Sequence, residues 1–136
     1  MERCTPRGQR RARQPEVTLR SSVRRELASE QYCYVTTTGR TTGAPRQIET
    51  WFALLGGSAY LLAGGGDRAH WVRNLREYPR LVVRIGDRGL GAGAREPEPG
   101  PESDAARRAL FAKYSASGRD LSRWRDQGLL VALDLE

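Results

Sequence analysis

The sequence predicts a mainly β, α+β domain: a small antiparallel barrel of six short strands, one helix in front and two interposed. Three observations carry this. The apolar runs Tyr60–Ala63 and Leu129–Leu133 are of strand length, and Val35–Thr38 is a β-branched run. Glycine pairs and triplets stand where hairpin turns or strand-to-helix joints are needed. Only three segments space their apolar residues at helical intervals. With 136 residues, 38% hydrophobic, 15 glycines and 7 prolines, the chain fits one domain able to bury about 65–70% of its unfolded surface.

In chain order, residues 1–16 read as a disordered basic arm and 17–136 as the folded domain. From Val17 to about Gln31, Leu19, Val23 and Leu27 recur every four residues while Arg20, Arg24 and Arg25 stay on the wet face, which predicts a helix. Tyr32–Thr38 is the first strand, Arg46–Leu55 the second and Ala59–Ala63 the third, a meander turned at Gly39–Gly43 and at Gly56-Gly57. Gly64–Gly66 frees the backbone, Asp67 is placed to cap a helix from Arg68 to about Glu77, and Pro79 ends it. Arg80–Ile85 is the fourth strand. The fifth, from about Leu90 to Glu96, carries glycines that suggest a bulge or a barrel bend. Ser103 or Asp104 caps a helix through Ala106, Leu110, Phe111 and Tyr114. A looser segment, Ser115–Gln127, leads to the last strand, Leu129–Leu135.

The formal net charge is +7, which raises nucleic acid as a partner. Much of it sits in the arm, where Arg3, Arg7, Arg10, Arg11 and Arg13 face only Glu2 and Glu16. The basic segments lack the interleaved aromatics that single-strand binders stack on, so nucleic acid is disfavoured. Cys4 and Cys33, widely separated, suggest neither a disulfide framework nor a metal site, and a reducing cytoplasm follows. No apolar run approaches membrane-spanning length.

Catalysis by the chain's own groups is poorly served. His70 is the only histidine and reads as a helix-surface or capping residue; no G-x-S-x-G elbow accompanies it, and Glu49 is the one acid within a buried-looking strand. What stands out is anion-cradling chemistry. The Gly39–Gly43 loop carries Arg40 and is followed by Arg46, and Gly64–Gly66 opens a helix N-terminus. Trp51 and Trp71 offer flat apolar surface for a ring system. Such a chain suits a cofactor that brings its own chemistry while the protein supplies position and electrostatics.

The run T-T-T-G-R-T-T-G-A-P-R at 36–46, A-G-G-G-D at 63–67 and W-V-R-N-L-R-E-Y-P-R at 71–80 together resemble the deazaflavin-dependent nitroreductase family, split β-barrel proteins akin to pyridoxamine phosphate oxidases. The resemblance spans roughly Tyr32–Ile85 and, more loosely, the C-terminal helix and strand. It implies a homodimeric, cytoplasmic oxidoreductase that passes hydride from reduced coenzyme F-420 to a small conjugated acceptor such as a quinone or nitro compound. FMN in the same barrel, or flavin or lipophile carriage without turnover, is the alternative. By position, Thr36, Thr37, Thr38, Gly39, Arg40 and Gly43 are expected to hold the coenzyme's phosphate and tail, with Pro45 and Arg46 continuing that wall. Trp51 is expected to approach the ring, while Ala63, Gly64, Gly65, Gly66, Asp67, Trp71 and Asn74 close the other side. Thr41 stands where many members carry lysine, which leaves the tail's charge to Arg40 and Arg46. Tyr114 is the one tyrosine available in the C-terminal helix as a proton donor.

Overall fold

Strand Ser58–Ala63 is buried along its whole length, and the architecture follows from that. The computed structural model describes residues 21–136; the expected basic arm at 1–16 and the start of the first helix lie outside them. In chain order the elements are α1 (Ser21–Ala28), β1 (Cys33–Thr38), β2 (Pro45–Thr50), β3 (Ala53–Leu55), β4 (Ser58–Ala63), α2 (His70–Glu77), β5 (Arg80–Ile85), β6 (Arg88–Arg95), α3 (Pro101–Tyr114), α4 (Ser122–Gln127) and β7 (Leu129–Leu135). The seven strands form one antiparallel sheet in the order β2-β1-β5-β6-β7-β4-β3.

The period of two along a strand divides the core. Ala59, Leu61 and Ala63 of β4, with Val131, Leu133 and Leu135 of β7, join Cys33, Val35, Val83, Ile85, Val72 and Leu75 inside the curved sheet. Tyr60 and Leu62, with Leu130 and Ala132, face outward and meet Ala106, Leu110 and Tyr114 of α3. Each central residue such as Leu61 or Leu133, fully buried, contributes roughly 1.5–3 kcal/mol by leaving water. Burial also disarms Cys33, whose thiol is pushed up to about 12 and stays protonated near neutrality.

The strand expected over Arg46–Leu55 is two strands, which makes seven rather than six. Its first half pairs with β1, Thr36 opposite Gln47, and its second half pairs with β4, Leu54 opposite Ala59. The two halves therefore occupy the two opposite edges of the sheet, and the bend at Trp51-Phe52 closes the barrel. A bend leaves the ladder, so the buried Phe52 needs other partners for its peptide groups. The Tyr114 hydroxyl accepts from the Phe52 N–H at 3.0 Å, and Lys113 Nζ donates to the Phe52 carbonyl at 3.0 Å.

Four other expectations are corrected. Asp67 caps no helix: a 3-10 turn, Gly66–Arg68, precedes α2, whose N-cap is Ala69 with no side-chain hydrogen bond. Gly66 at φ 57° forces that break. Strand β6 pairs with β5 in unbroken register from Arg80–Gly93 to Ile85–Arg88, so of the two readings of its glycines the bulge is absent. Helix α3 starts at Pro101 after Gly100, with proline at its first position, so neither Ser103 nor Asp104 is the cap. Within Ser115–Gln127 lie a 3-10 turn and α4, whose Trp124 packs edge-on against Trp51.

Candidate cofactor site

The hairpin loop between β1 and β2 folds on itself. Gly39 N–H donates to the Ala44 carbonyl and Gly43 N–H to the Gly39 carbonyl, both at 2.8 Å, and Gly43 sits at φ 74°, where glycine is strongly favoured. A Cβ on Gly39 would stand 3.1 Å from the Ala44 carbonyl oxygen. The loop's glycine amides are thus consumed internally, contrary to the expectation that they turn toward an anion. The tight turn instead projects side chains.

Those side chains meet α2. Asn74, 4% exposed, accepts on Oδ1 from both the Arg40 backbone N–H (3.2 Å) and Arg40 Nη1 (2.9 Å). Its Nδ2 donates to Thr37 Oγ1 at 3.1 Å, and Thr37 reaches the Arg46 carbonyl at 3.5 Å. Arg40 Nη1 also donates to the His70 carbonyl at 3.4 Å, and its Nη2 stands 3.3 Å from His70 Nδ1. None of these partners is a carboxylate. Among the described residues no carboxylate pairs with Arg40 or Arg46, so two guanidinium charges are left for a ligand.

Between loop and helix lies a cleft of about 430 Å³, lined by Thr37, Gly39, Arg40, Thr41, Thr42, Arg46, Gln47, Ile48, His70, Trp71 and Asn74. Its size is that of a cofactor or drug-sized pocket. Ile48 and Trp71 supply an apolar wall continuous with the core, and the open first turn of α2, without a cap or an acidic residue, adds positive potential. The donor set fits a group with a flat ring and an anionic tail.

Of the residues expected at the site, Thr37, Gly39, Arg40, Arg46, Trp71 and Asn74 converge here. Thr36, Thr38, Gly43 and Pro45 instead border a shallow depression on the outer face with Arg80, Val82 and Gly91. Alternation along β1 explains the split: Thr37 shares its face with the buried Cys33 and Val35, and its neighbours point away. Ala63 is core. Gly64, Gly65 and Gly66 form the turn after β4 and do not line the cleft, and Asp67 pairs with Arg76 at 2.7 Å. Trp51 and Tyr114 belong to the second core, their rings stacked at 4.2 Å and 4°. Thr41, Thr42, Gln47, Ile48 and His70 also line the cleft and were not among the expected site residues. The two strand residues could have been found by following the hairpin register from Thr36 and Val35.

Tyr114 cannot serve as a ready proton donor. It is 2% exposed, its hydroxyl is shared among the Phe52 amide, the Phe52 carbonyl and the Gln31 carbonyl, and burial pushes it up to about 12. Next to it, half-buried Lys113 lies over the Phe52 ring at 3.7 Å, and burial lowers it from 10.5 to about 8. Between those values the unfolded chain holds a proton on Lys113 that the native chain has released. Wild-type stability should therefore rise relative to Lys113→Met from about pH 8 to about 10.5. Urea titrations of both proteins across that window test this; a pH-independent difference would refute the depressed lysine.

A curved antiparallel sheet with one arginine-bearing cleft between its first hairpin and α2 defines a split-barrel cofactor-binding protein. The model of one family, F420H(2)-dependent quinone reductase, matches residues 9–136, and the chain belongs to that family. It is an oxidoreductase whose cofactor is coenzyme F-420. Among solved structures, an F420-H2-dependent reductase (FDR-A) is 26% identical over 78% of this chain and 94% of its own, with a TM-score of 0.61. A heme-binding protein from Mycobacterium smegmatis shares the fold at 24% identity, over 88% of this chain and 53% of its own, with a TM-score of 0.66. A protein described as a domain-swapped dimer is 25% identical over 78% of this chain and 80% of its own, with a TM-score of 0.61. No curated protein sequence matches the chain.

Proposed function

We propose that the chain binds coenzyme F-420 in the cleft between the first hairpin and α2 and reduces a quinone there. The observation that supports it is the pair of guanidinium groups, Arg40 and Arg46, with no carboxylate partner among the described residues, beside the apolar wall of Ile48 and Trp71. When bound, the reduced coenzyme supplies the hydride. Arg40 and Arg46 hold the anionic tail, Ile48 and Trp71 flank the ring system, and Asn74 fixes Arg40 in place. The hydride carries two electrons and one hydrogen to the quinone; because the cleft opens to solvent, the one proton that completes the hydroquinone comes from water and no buried acid is needed. The only ionisable tyrosine of α3 is tied to the barrel's bend, which fits hydride delivery by alignment alone.

A fluorescence titration with coenzyme F-420 and with FMN tests the reading. The deazaflavin should bind at low micromolar concentration or tighter, and Arg40→Ala should weaken it about 10–50-fold, the range of one or two charge-assisted hydrogen bonds. Tighter FMN binding, or no effect of Arg40→Ala, would sink it. Turnover with a naphthoquinone set against a nitroaromatic compound identifies the acceptor class.

We read the protein as a cytoplasmic homodimer. No helix among the described residues is long and apolar enough to cross a membrane. Val82 is 51% exposed in mid-strand on the outer sheet face, where a second copy would cover it. The N-terminal arm, residues 1–16, is read as a separate basic segment preceding the domain.

A further inference from the structure

His70 is the one cleft residue whose side-chain contact to Arg40 runs through a ring nitrogen. A guanidinium carries donors alone, so the hydrogen bond from Arg40 Nη2 to Nδ1, 3.3 Å away, is the one made by the tautomer with its hydrogen on Nε2. The guanidinium is then held at two points on one helix, one turn apart. Nη1 rests on Asn74 Oδ1 and Nη2 on His70 Nδ1. A single hydrogen bond leaves a guanidinium free to swing about it, whereas two to the same rigid element fix its plane.

We propose that His70 is a positioning residue for the cofactor site: its imidazole, with Asn74, locks the plane of the Arg40 guanidinium that meets the cofactor's anionic tail. The inference rests on the cleft being the cofactor site. It assigns affinity, not chemistry, to His70, because the imidazole acts through Arg40. It also accounts for a cleft that works without a lysine at Thr41: one well-fixed guanidinium, preorganised before binding, loses less rotamer freedom than a mobile charge would.

The test is a cycle of binding constants for oxidised coenzyme F-420, followed by fluorescence, on wild type, His70→Phe, His70→Asn, Arg40→Ala and the Arg40→Ala/His70→Phe pair. Phenylalanine keeps the ring's bulk and removes the acceptor, and should weaken binding about 5–10-fold with kcat changed by less than about two-fold. Asparagine, which restores an acceptor, should bind within about two-fold of wild type. The double variant should bind no more weakly than Arg40→Ala. Because the His70 side chain is exposed, thermal melts of the two His70 single variants should coincide with that of wild type. The proposal is overturned if His70→Phe binds like wild type, or if it costs the same factor on the Arg40→Ala background, which would mean that His70 touches the ligand itself. If Arg40→Ala alone has no effect, the cleft assignment fails with it, an outcome distinct from a loss at Arg40 with none at His70.

Discussion

Asn74→Ala is expected to weaken cofactor binding roughly 10–50-fold, up to the loss at Arg40→Ala, and to cost about 2–3 kcal/mol of folding stability, the largest combined effect of any single change in the cleft. Three groups lose a partner together: the Thr37 hydroxyl, the Arg40 amide and the Arg40 guanidinium. Thr37 is 2% exposed, so water cannot replace the lost donor without a rearrangement. Arg40 sits nearer solvent and can be hydrated, but its charge then leaves the position the ligand meets. The stability loss should appear in urea unfolding and the affinity loss in the F-420 titration. Asn74→Asp separates the two effects, since it keeps the acceptor while neutralising Arg40's surplus charge. Asp should bind the anionic cofactor at least as poorly as Ala. Wild-type affinity in either variant would show that Asn74 does not organise the site.

Tyr114→Phe is expected to cost about 1–3 kcal/mol of stability while leaving kcat within about two-fold of wild type. The ring survives, and with it the stack on Trp51, so nearly the whole loss comes from the Phe52 N–H left without its acceptor inside the bend. Denaturant midpoints read the stability, and turnover at a temperature well below the melt reads the chemistry. A large fall in kcat with unchanged folding would restore Tyr114 as the proton donor and overturn the structural role.

How far each was readable differs for a physical reason. Arg40, Thr37, Trp71 and Asn74 could be picked out because a tight hairpin and a helix one strand pair later are local features, each signalled by its own glycines and apolar spacing. The helical interval between Trp71 and Asn74 puts both on one side of α2, and the single glycine-bounded turn puts Arg40 beside β1. Thr36 and Thr38 misled because a run of three threonines carries no alternation of its own. Which of them faces inward is decided by what covers each side of the sheet. The helix N-cap failed at Asp67 because its carboxylate found Arg76, nine residues along, a partner set by the turn rather than by the N-terminal motif.

Sequence by itself determined the β-rich class, the order of the elements, the hairpin that carries Arg40 and the helix that carries Asn74, all written in short-range patterns. Only the tertiary structure decided that one stretch, Pro45–Leu55, bends to form both edges of the sheet. It also decided that Tyr114 and Lys113 satisfy that bend and that His70 joins the cleft. These depend on contacts between residues some 30 to 60 positions apart. Such contacts arise where an unpaired peptide group or an unpaired charge must find a partner once the strands have closed.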